Sequence, residues 1–206
     1  MKKYPSRLTG LAALIVLHFG LALAQSAAPL TDPSESDILE ALGGRVGGLP
    51  SKSFRRTEAP DTKTRACPEG RPDAPAGGAG ASKNLVAVPF ASDGAPSVDL
   101  AINFETNSDK ILGNSHAALN SLSKALNSSS LRAVNVAVAG HTDAQGKAPI
   151  NLQLSCARAI AVRNYLLGQG VDSARLGVYG FGSERPLQAG MEVSAMNRRV
   201  EIRRAN

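Results

Sequence analysis

The chain has 206 residues, 43% of them hydrophobic but only 4% aromatic, with no Trp and a formal net charge of +6. That length holds one ordinary domain with extensions. Moderate basicity with few rings excludes a stacking nucleic-acid binder, which needs basic clusters interleaved with aromatics; mild attraction to an anionic wall or membrane surface is compatible with the charge but not specific.

The N-terminus reads as a secretory signal peptide over residues 1–24. Lys2, Lys3 and Arg7 form a basic start, Leu8 to Leu23 is apolar, and Ala22-Leu23-Ala24 is the small-x-small ending that signal peptidase requires. The apolar run falls short of the ~18–20 residues of a spanning helix, and His18 and Gly20 interrupt it. An uncleaved membrane anchor is the alternative, which does not need the Ala-Leu-Ala ending. No Cys follows the apolar run, which argues against a lipid-modified N-terminus. Three of the 23 Lys and Arg lie in this leader, which has no Asp or Glu, so cleavage leaves +3 and no membrane span.

From Gln25 to about Pro96 the chain is rich in Pro, Gly, Ala and Ser, as in Gly47-Gly48-Leu49-Pro50 and Arg71 to Gly78. Such a segment buries too little apolar surface to offset its ordering entropy and is expected to serve largely as disordered linker. Two exceptions stand out. Ser36 could cap a short helix carrying Ile38, Leu39 and Leu42 and docking on the domain or a partner, and Leu85 to Phe90 is a plausible short strand. Cys67 and Cys156 are the two cysteines, in a chain bound for an oxidising compartment. An even count allows one Cys67–Cys156 bridge, and two free thiols are the equal alternative.

Residues 97–206 are organised. Val98, Leu100, Ile102 and Phe104 alternate with Asp99, Ala101 and Asn103, the period of a strand with one buried face. Ile111, Leu112, Ala118, Leu119, Leu122, Ala125 and Leu126 recur at helical spacing up to Asn127 and Ser128-Ser129-Ser130. Val134, Val136 and Val138 mark a second strand ending at Gly140; Pro149 suits the first turn of a helix running to about Leu167, before Gly168 and Gly170. Val178-Tyr179 marks a third strand and Val200-Glu201-Ile202 a fourth. The order β-α-β-α-β-β, with helices packed on a small mixed sheet, closes as a two-layer α+β domain.

The second helix of that domain carries an anomaly. At ~100° per residue, Ser155, Arg158, Val162 and Tyr165 fall within ~40° of Asn151, flanked by Leu154, Ala157, Ala161 and Leu166. Arg158 therefore sits on the face that packs against the sheet, where an unpaired charge is costly. The nearest carboxylate in prospect is Asp143, in Gly140-His141-Thr142-Asp143 at the end of the second strand, where a rigid scaffold presents binding groups. One acid beside one arginine suits a zwitterion, the acid taking an ammonium and the guanidinium a carboxylate. An internal Asp143–Arg158 salt bridge with no ligand is the equal alternative on geometry alone.

Gly140-His141-Thr142-Asp143, Asn151-x-x-Leu154-Ser155-x-x-Arg158-Ala159-x-x-Val162, Gly180-Phe181-Gly182 with Pro186, and Asn197-Arg198-Arg199-Val200-Glu201-Ile202 together resemble the OmpA-like C-terminal family. Asn103-Phe104 followed by Thr106-Asn107-Ser108 matches its opening strand and loop. The resemblance spans about half the chain and implies a domain that binds the peptide stem of peptidoglycan, holding diaminopimelate non-covalently. It implies that Asp143 and Arg158 grip the amino-acid end of that residue. Asn107 and Asn151 assist, while Thr106, Thr142 and Leu154 line the same pocket. It also implies a protein of the periplasm associated with the wall and outer membrane, whose partners are peptidoglycan and outer-membrane or periplasmic envelope proteins. The stretch from Pro186 to Asn197 departs from the family: it is short and lacks the Gly-Arg pair usual before Asn-Arg-Arg.

Other residues have plainer readings. His141 near Asp143 shapes the turn more readily than it does acid–base work. Beyond the leader only His116 and His141 accompany two unclustered cysteines, so neither a metal nor another cofactor is expected. Arg198, Arg199, Arg203 and Arg204 read as the solvated face of an edge strand. A wall-binding tether, not an enzyme, is thus the leading function. The alternatives are an anchored component of a motor-stator or secretion-type envelope complex, which would need an intramembrane acid that Leu8 to Leu23 lacks, and a wall-modifying hydrolase, which would need a catalytic constellation.

Overall fold

The computed structural model describes residues 28–43, 65–67, 88–92 and 94–205. The expected leader over 1–24 and the first half of the expected 85–90 strand lie outside the described residues. Three helices, α1 (Glu35–Gly43), α2 (His116–Asn127) and α3 (Ala148–Gly168), pack on a sheet of β1 (Ser97–Leu100), β2 (Val136–Gly140), β3 (Leu176–Gly180) and β4 (Val200–Arg204). The sheet order is β1-β4-β2-β3, with β2 and β3 parallel and β4 antiparallel to both neighbours, so the sheet is mixed.

Strand alternation divides the side chains between two layers. Val98, Leu100, Val136, Val138, Val200 and Ile202 face the helices, meeting Leu119, Leu122 and Leu126 of α2 and Ala159, Val162 and Leu166 of α3. Ala137, Ala139 and Tyr179 face the other way and pack with Phe90 and Phe181. The first strand is shorter than its alternation suggests: the ladder stops at Leu100, and Phe104 instead bridges to Ile111 to close a loop.

Three stretches of the 25–96 region expected to act as linker are seated on this domain. Ile38 and Leu42 of α1 are fully buried in the main core. Leu30 pairs along β1 and Ala66 along β3, so both sheet margins are covered locally. Val88 and Phe90 are buried without strand pairing, and the Val88 carbonyl accepts the Tyr179 hydroxyl at 2.7 Å. Cys67 and Cys156 are joined as a disulfide.

The expectation of a solvated arginine edge is overturned. β4 lies in the sheet interior, between β1 and β2, and Arg199 and Arg203 are 5% and 6% exposed. Arg203 Nε meets Glu201 Oε1 at 2.6 Å, its Nη1 donates to the Ser92 carbonyl at 2.8 Å, and its guanidinium lies 4.9 Å from the Phe90 ring centre. Arg199 Nε meets Asp99 Oδ1 at 2.6 Å. Residues 88–92, distant in sequence, are what take this face out of water.

Candidate functional site

The site grows from the end of β2. Gly140 is required there because a Cβ would stand 2.0 Å from the Ser155 carbonyl oxygen of α3, so helix and strand are in backbone contact. The chain then turns through His141, Thr142 and Asp143, and each residue is pinned. The His141 amide donates to Arg199 O at 3.0 Å, Thr142 to Gly182 O at 2.8 Å, and Ala144 to Glu192 O at 2.9 Å. Asn151, near the start of α3, donates through Nδ2 to the carbonyls of Asp143 (3.2 Å) and Gln145 (2.9 Å). Its amide group therefore braces the loop.

Asp143 is 6% exposed. Its Oδ1 accepts the Gln145 amide at 3.2 Å, and its Oδ2 accepts Nη1 of Arg198 at 2.6 Å. Of the two alternatives left open by the sequence, the internal Asp143–Arg158 pair is not formed; Asp143 pairs with Arg198 instead. Arg198, half-exposed just before β4, was not singled out by the chain's periodicity. Its signal in the sequence is the Asn197-Arg198-Arg199 motif. Asn197 is buried and folds the preceding short loop around itself, accepting from the Leu187 amide and donating to the carbonyls of Met191 and Glu192.

Arg158 comes from α3, at the face its spacing indicates, and is 9% exposed. Its Nε donates to the Ser108 carbonyl at 3.1 Å, and its guanidinium lies 4.8 Å from the centre of the Phe104 ring. Among the described residues it makes no ion pair within 4.0 Å. Burial and the like charge of Arg198 lower its pKa, while Asp143 and Asp109 pull the other way. Two guanidinium groups, Arg158 and Arg198, thus lie within electrostatic reach of Asp143, and Asp109 also acts on Arg158.

The remaining predicted residues fall around this centre. Thr142 is 4% exposed, and its hydroxyl has no hydrogen-bond partner among the described residues. Leu154 is half-buried on α3. Thr106 and Asn107 stand at the exposed tip of the loop whose Ser108 carbonyl holds Arg158, and Asn107 adopts a left-handed backbone with φ of 52°. No contact among the described residues joins either side chain to Asp143 or Arg158.

His141 lies beneath the site and is fully buried. It stacks on Phe181 at 5.5 Å and pairs through Nε2 with Glu201 Oε2 at 3.1 Å. Burial and the nearby Arg199 bring its pKa down to about 3, against the opposing pull of Glu201. It is neutral at ordinary pH and shapes the turn from below. Among the described residues no group of His, Cys, Asp and Glu has metal-site geometry, and no helix is long and apolar enough to cross a membrane.

With this geometry in place, comparison with known proteins is informative. A family model described as the OmpA family matches residues 103–199. The peptidoglycan-associated lipoprotein of Pseudomonas aeruginosa is 34% identical over 132 residues, 63% of this chain and 77% of that protein. Outer membrane porin F of the same organism is 36% identical over 107 residues, 50% of this chain and 30% of that protein. Among solved structures, the peptidoglycan-associated lipoprotein from Burkholderia pseudomallei has 28% identity and a TM-score of 0.45, covering 50% of this chain and 87% of that one. The matched span begins at the loop that holds Arg158 and ends beside Arg198, and the chain belongs to the OmpA family.

Proposed function

We propose that this protein binds peptidoglycan non-covalently through the diaminopimelate of the peptide stem, and so tethers itself to the cell wall in the periplasm. The observation that carries the reading lies at Arg158: it is buried within electrostatic reach of Asp143, yet its outer nitrogens form no ion pair among the described residues. A zwitterionic amino-acid end fits that arrangement. Its ammonium takes the Asp143 carboxylate, and its carboxylate takes the guanidinium of Arg158 bidentately. The Thr142 hydroxyl, without a hydrogen-bond partner among the described residues, is the further polar group of this pocket. Leu154 supplies apolar lining; Thr106 and Asn107 close from the loop tip, and Asn151 contributes by holding Asp143 in place.

Two further facts support the reading. Relatives that match most of their own length are peptidoglycan-associated lipoproteins. The Cys67–Cys156 disulfide suits an oxidising compartment such as the periplasm. The proposal describes a binding module: the one histidine near the site is buried and neutral, which removes it from proton transfer.

Co-sedimentation with purified sacculi tests the reading. Wild type is expected to pellet, whereas Asp143→Ala and Arg158→Ala stay in the supernatant with unchanged circular dichroism. Removing either charge leaves its ligand partner unmatched, a loss of about 2–5 kcal/mol of binding. Failure of the folded wild type to pellet would sink the proposal. Free diaminopimelate should compete; competition by glycan strands without peptide would place recognition elsewhere.

A further inference from the structure

The pieces of chain from the 25–96 region are held to the domain in different ways. α1 has its own apolar anchors, Ile38 and Leu42, both at 0% exposure. The 88–92 stretch buries Val88 and Phe90, and its carbonyls accept from Tyr179 and Arg203. Residues 65–67 have neither. Ala66 is exposed, and the segment buries no apolar side chain of its own. Among the described residues its non-covalent hold consists of the Ala66–Tyr179 bridge, the Cys67 amide donating to the Val178 carbonyl at 2.9 Å, and an Arg65–Glu184 ion pair whose side chains are 22% and 42% exposed. A single ion pair that keeps water on its acid side contributes modestly, and an isolated backbone hydrogen bond exchanged for one to water contributes little more. The covalent link from Cys67 to Cys156 on α3 is the dominant anchor.

We infer that this disulfide is a releasable clip: opening it frees residues 65–67 from the flank of β3 while α1, the 88–92 stretch and the rest of the domain stay folded. The chemistry requires a dithiol reductant. One of its thiolates attacks a cystine sulfur and displaces the other as a thiolate, forming a mixed disulfide. The second reductant thiolate resolves that bond. Cys67 and Cys156 end as two thiols after taking up two electrons and two protons, and the reductant ends as its own disulfide. Freed of the Cys67 amide, the Val178 carbonyl turns to solvent. Reduction thus changes how the region before the domain is tied down without dismantling the core that presents Asp143 and Arg158. In an oxidising envelope the clip is closed by default, and it opens wherever a dithiol reductase reaches it.

Amide hydrogen exchange on the full chain, with and without dithiothreitol, tests the inference, a thiol count on a parallel sample confirming that two thiols have formed. The Cys67 amide is expected to exchange at least tenfold faster after reduction, while the amides of Ile38 and Leu42 in α1 and those of β2 keep their protection. The Cys67→Ser/Cys156→Ser double variant should match the reduced wild type and ignore the reductant. Arg65→Ala with the bridge intact should leave the Cys67 amide protected. A Cys67 amide equally protected in both redox states would overturn the inference. So would α1 and β2 losing protection together with it, since the bridge would then be a staple of the whole fold.

Discussion

Two groups of arginines in this protein do opposite things. Arg199 and Arg203, beneath the sheet, each have a carboxylate of their own, Asp99 and Glu201, and each also donates to a backbone carbonyl, of Arg185 and Ser92. Arg158 and Arg198 both lie within reach of Asp143, and Arg198 is the one paired with it, while Asp109 also acts on Arg158. The first group is closed and serves the fold. The second leaves the Arg158 guanidinium without an ion pair among the described residues, and the proposed wall binding rests on that open cation.

The largest test of this contrast is Glu201→Ala. It strips Arg203 and His141 of their shared buried partner, and breaking a buried pair from one side costs about 3–5 kcal/mol. Denaturant unfolding should register that loss, while whatever remains folded still pellets with sacculi. A folded, fully stable Glu201→Ala that no longer pellets would reverse the assignment of the two groups.

Acid should act on the same network. The His141 pKa near 3 lies below its ordinary value of 6.5, so between those limits the unfolded chain binds more protons than the folded one. Stability from this group is full above about pH 6.5 and declines as pH falls toward 3. For Glu201, burial raises the pKa, but His141, Arg203 and Arg199 outweigh it and hold the carboxyl below its usual range. Its contribution is likewise present above the unfolded value and lost in acid. Thermal melts should therefore fall from pH 7 to pH 4, and a His141→Gln variant should show a shallower fall above pH 5. An equal slope in that variant would remove His141 from the account.

At the open group the effects are smaller and appear in binding. Arg158→Lys keeps the charge but loses the planar fork, so wall affinity should drop roughly tenfold, about 1.4 kcal/mol, with the melting temperature nearly unchanged. Arg198→Ala should weaken binding only about threefold to fivefold, as its side chain is half-exposed and screened. A complete loss in Arg198→Ala would make it an equal partner in the grip.

The elements that local spacing can specify were legible in the chain. α2 ends at Asn127, where the serine run predicts, and α3 spans Ala148–Gly168 around the expected Pro149 to Leu167. Arg158 falls on the packed face because 3.6-residue periodicity places it there. What periodicity cannot express is which strand lies beside which. β4 pairs with β1 and β2 across about a hundred and sixty residues of chain respectively, and only that placement turns an arginine-rich tail into an interior strand. Phe90, whose ring faces Arg185 and Arg203, was legible as the end of a short apolar stretch, but not the arginines it would cover. Arg198 escaped for the same reason, since its partner lies 55 positions earlier. Asn151 was legible as a site residue, yet its contacts to the Asp143 loop depend on a turn that the sequence does not display.

The contact at Gly140 has a consequence for selectivity. Asp143 is carried by the sheet and Arg158 by the helix above it, so the gap between acid and base is the spacing between two backbones. Gly140 and Ser155 set that spacing by touching. If the proposed grip holds, it is a caliper whose jaws are side chains but whose screw is a missing methyl group. Adding that methyl would widen the jaws without altering either charge, and the length of the molecule that fits between them would change with it.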